Sequence, residues 1–254
     1  IDYYIIIQTY TDFLHIFLDF LPGAQSTLVP NVYAAAAYDF WIPRGTIVTT
    51  LTVAIGVGME PAMAIFPLLR KKFSLKQIYI GSALFGFAVH GLCYVILAQD
   101  VTKINIFILW IFLFLMGLPL GIYNVITYAL IADSIDYLEW KTGERQEGVC
   151  FAFQTFLSKV NAAIATFVFG QLLAQTDFKA VDKSLMDNAG RQIFFEQSAS
   201  TQKMLLALVT IVPAVGFILT IIPMFFNKYT GKVKAQAQAE LEAKREKLME
   251  SEEA

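Results

Sequence analysis

A single lysine stands within an otherwise uncharged, mostly apolar stretch of the sequence. Lys159 is the one charged residue between positions 149 and 175, a run typical of a membrane-spanning helix. It lies about ten residues into that run, which at about 1.5 Å per residue places it ~15 Å deep, near the middle of a bilayer. A charge at that depth costs roughly 2.5–3.5 kcal/mol on insertion scales. Since a helix keeps such a residue mainly beside a polar cavity or a buried partner, the sequence predicts a solute or ion pathway.

The predicted helix around Lys159 has two different faces. Bulky apolar side chains occupy one face, and small or polar side chains the other. Gln154 flanks the polar face, and Thr155 belongs to it. Lysine and glutamine together offer donors and an acceptor for the hydroxyl groups or the carboxylate of a solute. We therefore predict that Lys159 and Gln154 bind substrate, on a face that includes Thr155 and lines a cavity. The alternative is a structural ion pair between Lys159 and a carboxylate elsewhere in the fold.

A second constellation follows the predicted span 104–132. Two aspartates lie where that helix ends, and their carboxylates oppose its dipole, so a nearby base, Lys141 or Arg145, is expected to offset them. A network of this kind can latch a gate during transport. The alternative is a solvated loop whose ion pairs contribute ~0–1 kcal/mol; spacing leaves both open. The predicted gate residues are Asp133, Asp136, Glu139, Lys141, Arg145 and Glu147.

Three further residues are candidates for the same pathway. Glu60 precedes Pro61 inside the predicted span 45–69, where a carboxylate beside a helix break suits an ion or proton site. Its alternative is a carboxylate near enough to the interface to reach water. Asn124 and Tyr128 are one helical turn apart, just after a Gly-Leu-Pro-Leu-Gly segment that is expected to bend its helix, and we predict that both contribute to substrate binding.

Composition excludes several classes of protein. Of 254 residues, 57% are hydrophobic and only 16% are charged, which indicates a polytopic membrane protein. Two cysteines and two histidines predict neither a disulfide framework nor a metal site, and no paired catalytic His, Cys or Ser lies at membrane depth. We therefore do not expect an enzyme. No basic tract suggests nucleic acid as a partner.

The apolar runs predict an all-α membrane bundle. Five spans are clear, at 45–69, 78–98, 104–132, 149–175 and 204–226, and a weak one covers 3–21. We divide the chain into a weak first helix with an irregular outer segment (1–44), five membrane helices (45–228) and a polar tail (229–254), either a solvated helix or disordered. Basic residues concentrate after the first, third and fifth spans, which predicts a multi-pass protein of the inner or plasma membrane with a cytoplasmic C-terminus.

The charged loop also carries a family resemblance. The run ADSIDYLEWKTGERQEG, followed by FQTFLSKV, closely resembles the second-half signature of the glycoside–pentoside–hexuronide:cation symporters, the melibiose carrier-like group of the major facilitator superfamily. The resemblance implies that the chain is the C-terminal six-helix half of a carrier, with its N-terminal six-helix half missing. It matches Lys159 to the family's functional lysine, Gln154 and Thr155 to its sugar site, and the loop to its cytoplasmic gate.

The function implied by this resemblance is cation-coupled symport of a sugar or glycoside by alternating access. The coupling cation would be Na⁺ or H⁺, with no other cofactor, and the remaining partners would be the lipid bilayer and the missing half. The alternative is a sensor or scaffold that uses the same fold without transporting.

Overall fold

The computed structural model describes residues 44–99, 106–177, 198–227 and 229–252. Within these ranges all regular structure is α-helical. The weak span 3–21, the rest of the predicted outer segment before Arg44, and most of the loop 176–203 lie outside them. The helices are α1 (Arg44–Lys72), α2 (Leu75–Leu97), α3 (Ile106–Thr142), α4 (Glu147–Ala174), α5 (Ala199–Phe226) and α6 (Gly231–Glu252).

The first five helices lie over the five clear predicted spans. By length and composition, four of them could cross a membrane: Val53–Lys72 of α1, Leu75–Leu97 of α2, Phe107–Thr142 of α3 and Ala199–Phe226 of α5. For α4, where several side chains are outside the described set, the membrane span stays a prediction. The polar tail contains a helix, α6, of 22 residues.

Local sequence signals explain where two of these helices begin. Ser74 caps α2 in a reciprocal arrangement, since its Oγ accepts from the Gln77 backbone N–H while the Gln77 side chain accepts from the Ser74 backbone. Ser198 caps α5 by accepting from the Thr201 backbone N–H. Each cap satisfies backbone donors that a helix leaves unpaired at its start.

Glycines bring α1 and α3 unusually close together. A Cβ on Gly58 of α1 would lie 2.1 Å from the Phe114 carbonyl oxygen, and one on Gly117 of α3 would lie 2.3 Å from the Ile55 carbonyl oxygen. Gly121 meets the backbone of α1 in the same way. The Gly-Leu-Pro-Leu-Gly segment, expected from sequence to bend its helix, therefore also forms a small-residue interface of the kind that packs membrane helices.

A buried cluster of aromatic residues joins α2, α3 and α5. Tyr123 of α3 donates from its hydroxyl to the Tyr79 carbonyl oxygen at 3.2 Å, and its ring packs edge-on against that of Tyr79. The Phe217 ring of α5 completes the contact, 5.6 Å from the Tyr123 ring centre. Gly86 of α2 leaves the space for Phe217, because a Cβ there would approach the ring to 2.7 Å.

Helix α3 is the centre of this arrangement. It packs against α1, α2, α4 and α6. Its 37 residues correspond to ~55 Å, well beyond the ~30 Å hydrocarbon core of a bilayer. Its end therefore extends past the apolar layer, and the acidic residues after position 132 lie on that extension.

Candidate functional site

Helix α4 carries Lys159 on an open surface. The side chains of Lys159 and Thr155 are exposed, that of Gln154 is half-buried, and none of the described side chains of α4 is buried. The Thr155 hydroxyl donates to the Phe151 carbonyl oxygen at 2.8 Å, which keeps it against its own helix. Because α4 packs only lightly on α3, most of its surface is left without cover from the described part of the chain.

The surroundings of Lys159 bear on the choice between a structural ion pair and a solute site. Within the described residues no carboxylate lies within 4.0 Å of its amine, and the side chain makes no hydrogen bond there. An unpaired ammonium is tolerated at membrane depth only where water or a polar partner reaches it. The described geometry therefore lacks the structural pair and leaves the amine accessible.

The two candidates on α3 are also on its exposed side. Asn124 is exposed and donates from Nδ2 to the Leu120 carbonyl oxygen at 3.1 Å, while the Tyr128 side chain is 61% exposed. Their neighbours Tyr123 and Thr127 are buried in the bundle. This arrangement separates a packed face of α3 from an open face that presents an amide and a phenol.

Glu60 lies on the exposed side of α1, next to the buried Gly58–α3 interface. It forms no ion pair or hydrogen bond with the described residues. The structure therefore places it on an open surface and does not join it to Lys159.

Four of the six predicted gate residues form a dense ion-pair network centred on Arg145. Arg145 precedes α4, and its Nη1 lies 2.9 Å from Glu139 Oε2 and 3.1 Å from Asp136 Oδ1 of α3. Its Nε donates to Glu147 Oε1 at 2.6 Å. These contacts, with Glu139 first, raise the pKa of the Arg145 guanidinium above its ordinary value. Arg145 therefore links the end of α3 to the start of α4.

A second arginine enters the network from α6. Arg245 Nη2 donates to Glu139 Oε2 at 2.7 Å and lies 3.7 Å from Asp136 Oδ1. This bond to Glu139 raises the pKa of Arg245. Glu139 is largely buried and accepts from both arginines, so it is the shared acceptor of the cluster.

Asp133 and Lys141 have different partners from those that spacing suggested. Asp133 pairs with Lys234, which lies 101 residues further along the chain on α6. Lys141 makes no salt bridge with described residues, and its Nζ lies 3.8 Å from the centre of the Trp140 ring. Arg145 and Lys234 are therefore the bases that offset the α3 aspartates.

Helix α6 docks along the extended end of α3. Ala237 and Leu241, one turn apart, are buried there. Trp140 Nε1 donates to Glu240 Oε2 at 2.6 Å, a bond that lowers the pKa of Glu240. Lys244 donates to the Gly143 carbonyl oxygen at 3.1 Å. Sequence reasoning missed Lys234, Glu240 and Arg245; the one available signal was an apolar stripe at four-residue spacing in a polar segment.

The two regions offer different groups for binding. α4 presents an accessible amine, Lys159, with the side chains of Gln154 and Thr155 on the same helix, and the exposed face of α3 presents the amide of Asn124 and the phenol of Tyr128. A separate network of ion pairs lies at one end of the bundle. The described residues contain no group of three or more His, Cys, Asp or Glu placed to hold a metal.

The comparisons with known proteins agree with this geometry. Residues 13–231 match the family described as MFS/sugar transport protein. The chain belongs to this family. The all-α membrane bundle that the sequence predicted is the fold expected of a member, and the resemblance to sugar:cation symporters is confirmed.

Individual relatives of this MFS family cover the chain to different extents. A Salmonella typhimurium protein named "Putative 2,3-dihydroxypropane-1-sulfonate exporter" is 30% identical over 76% of this chain and 37% of its own length. The isoprimeverose transporter of Lactiplantibacillus pentosus is 32% identical over 49% of this chain and 23% of its own length. The raffinose carrier protein of Pediococcus pentosaceus is 27% identical over 44% and 16%. All three are named as carriers, in agreement with a protein that is not an enzyme.

The chain therefore spans well under half the length of the curated relatives that it matches, at most 37% among these three.

Proposed function

We propose that this chain is one part of a cation-coupled symporter for a sugar or glycoside, working by alternating access. The observation that carries the proposal is the state of Lys159: an exposed amine without an ion-pair partner among described residues, on an apolar helix of an MFS sugar-transport family member. Such an amine can bind substrate hydroxyl groups, together with Gln154 and Thr155.

The open faces of α3 and α4 would complete the site with a second bundle. MFS carriers bind substrate near the midplane, between two halves of the fold. The exposed side chains of Asn124, Tyr128 and Lys159 suit that position, and a six-helix N-terminal half would supply the opposite wall and the site for Na⁺ or H⁺. In this proposal Glu60 is a candidate second ion site.

The Arg145 network would act as the gate. In the described state, Asp136, Glu139 and Glu147 hold Arg145 in place, so this end of the bundle is tied together. Ion pairs that are partly exposed are weak enough to break and re-form, as alternating access requires. The distribution of basic residues supports a cytoplasmic location for this end of the bundle and for the C-terminus.

Solute uptake by the full-length protein tests this proposal. The protein that contains this chain would be reconstituted in proteoliposomes, and uptake of labelled raffinose, isoprimeverose and 2,3-dihydroxypropane-1-sulfonate measured with and without an inward Na⁺ or H⁺ gradient. We expect a sugar or glycoside to accumulate only when one gradient is present, and protein-free liposomes are the control.

Three results would each contradict a part of the proposal. Saturable binding of a sugar without flux would indicate the sensor alternative. Flux that reaches only equilibrium under both gradients would show a carrier without cation coupling. Accumulation of the sulfonate alone would leave the coupling intact and overturn the substrate class.

A further inference from the structure

A cavity of about 130 Å³ lies at the end of the bundle where α1 ends and α2 begins. The end of α5 and the start of α6 close it on the other side. Three basic residues from separate helices line it: Arg70 of α1, Lys76 of α2 and Lys234 of α6. A single water needs only about 10–15 Å³, so the cavity has room for a polyatomic group.

The charge inside this cavity favours an anion. One carboxylate, Asp133, lines the cavity with the three bases, and it forms an ion pair with Lys234. Three bases and one carboxylate leave a net excess of two positive charges in the lining. Thr230 also lines the cavity, and its hydroxyl is a neutral donor. Guanidinium, ammonium and hydroxyl donors are the groups that bind phosphate oxygens in proteins.

An exposed aromatic ring adjoins one of the bases that line the cavity. Phe225, in the last turn of α5, is 68% exposed. The Lys76 Nζ lies 5.7 Å from the centre of its ring, so the cationic and aromatic groups are adjacent. α5 is one of the helices long and apolar enough to cross a membrane, and its last turn lies where a bilayer would meet water. A free phosphate ion would make no use of such a ring, whereas an acyl chain would lie against it.

We propose that the cavity formed by Arg70, Lys76 and Lys234 beside exposed Phe225 binds the phosphate group of an anionic phospholipid. The headgroup enters between α1, α2 and α6, and the lipid's acyl chains lie against the end of α5. Basic pockets between membrane helices bind acidic headgroups in this way. The site is separate from Lys159 and the Arg145 network, and it tethers the ends of α1, α2 and α6 to one lipid molecule.

Native mass spectrometry of the full-length protein tests the site. The detergent-solubilised protein would be mixed in parallel with phosphatidylglycerol, phosphatidylcholine or inorganic phosphate. The test variant is Arg70→Gln/Lys76→Gln. The matched control is Lys71→Gln/Lys72→Gln, which removes two exposed charges from the last turn of α1 and does not touch the cavity. A third variant, Arg70→Lys/Lys76→Arg, keeps both charges, so it distinguishes loss of the binding site from misfolding.

We expect the wild type to retain phosphatidylglycerol in preference to phosphatidylcholine. Each lost base should weaken that binding about fivefold, equivalent to ~1 kcal/mol, so the test variant should bind about 25-fold more weakly. The control and the charge-preserving variant should bind as the wild type does. Equal retention of both lipids, or equal losses in the test and control variants, would overturn the proposal. Binding of inorganic phosphate without a phosphatidylglycerol preference would assign the cavity to the free ion and overturn the lipid.

Discussion

Helices α4 and α6 both pack on α3, and they do so in opposite ways. α4 is apolar, 28 residues long, and none of its described side chains is buried. α6 is polar and rich in Ala, Glu and Lys, yet it buries Ala237 and Leu241 against the chain and anchors Lys234 and Arg245 to α3 carboxylates.

This difference indicates that the two helices depend on different surroundings. An apolar helix with an open surface depends on something outside the described chain to cover it, either lipid or a second bundle. A polar helix held by ion pairs depends on specific residues of the same chain. We infer that α4 belongs to the part of the protein that works with a partner, whereas the position of α6 is set by its own chain.

The largest expected effect comes from removing the amine that we assign to the substrate site on α4. Lys159→Ala in the full-length protein should lower uptake at low substrate concentration by about 10- to 100-fold, the scale of one lost charged hydrogen bond, or uncouple it from the cation. Proteoliposome uptake measures this. Lys203→Ala, which removes an exposed lysine from the first turns of α5, is the control. Normal, normally coupled accumulation by Lys159→Ala would remove Lys159 from the site.

The second prediction concerns α3, the helix on which both α4 and α6 pack. Gly58→Ala forces a Cβ into the backbone of α3, so we expect a loss of about 1–3 kcal/mol in stability and a lower melting temperature in detergent. Gly56→Ala, two residues earlier, has nothing within 4 Å of the new Cβ and should be neutral or slightly stabilising. Equal melting temperatures for the two variants would show that the close α1–α3 approach is not required.

The third prediction concerns the ion pairs that hold α6 on α3. Glu139→Gln removes the negative charge shared by Arg145 and Arg245, and should weaken docking by about 1–2 kcal/mol, between an exposed ion pair and a buried charged bond. Trypsin should then cleave the α6 segment about 5- to 30-fold faster.

The control for this release is Glu144→Gln, which alters an exposed carboxylate in the adjacent loop. Its rate of cleavage should equal that of the wild type. If Glu139→Gln and the wild type were cleaved at the same rate, apolar contacts at Ala237 and Leu241 would be sufficient to hold α6.

The smallest effect concerns the pH dependence of α6 docking. The bond from Trp140 lowers the folded-state pKa of Glu240 below its ordinary 4.5, so its contribution is present above that pH and is lost as the pH falls through the folded-state pKa. Tryptic cleavage is unsuitable at that pH, so pepsin cleavage of α6 at pH 5 and pH 3 would be compared. Glu240→Gln should reduce the pH-dependent change by less than about twofold. An unchanged pH response would show that Glu240 is not coupled to docking.

Some of these features follow from the sequence alone. Lys159 is conspicuous because no other charge lies near it, and the order of the spans follows from the apolar runs. The partners of α3 do not follow: Lys234 meets Asp133 across 101 residues, and no local spacing specifies that pairing. The polar composition of the tail predicts a solvated helix or a disordered segment. The tail instead docks as a helix, because the buried side chains of Ala237 and Leu241 add to the ion pairs of Lys234 and Arg245.

The unbroken end of α3 has a mechanical consequence. Pro119 is the last proline in the helix, so the 16-residue stretch from Asn124 to Glu139, ~22 Å long, can act as a stiff rod. If that rod leaned by about 10° about its membrane end, its far tip would sweep ~4 Å, more than the length of an ion pair. A change in ligand occupancy at the membrane end of α3 can therefore move the ion pairs at its other end by rigid rotation of the helix alone. No chain of rearranging side chains is needed between the two ends.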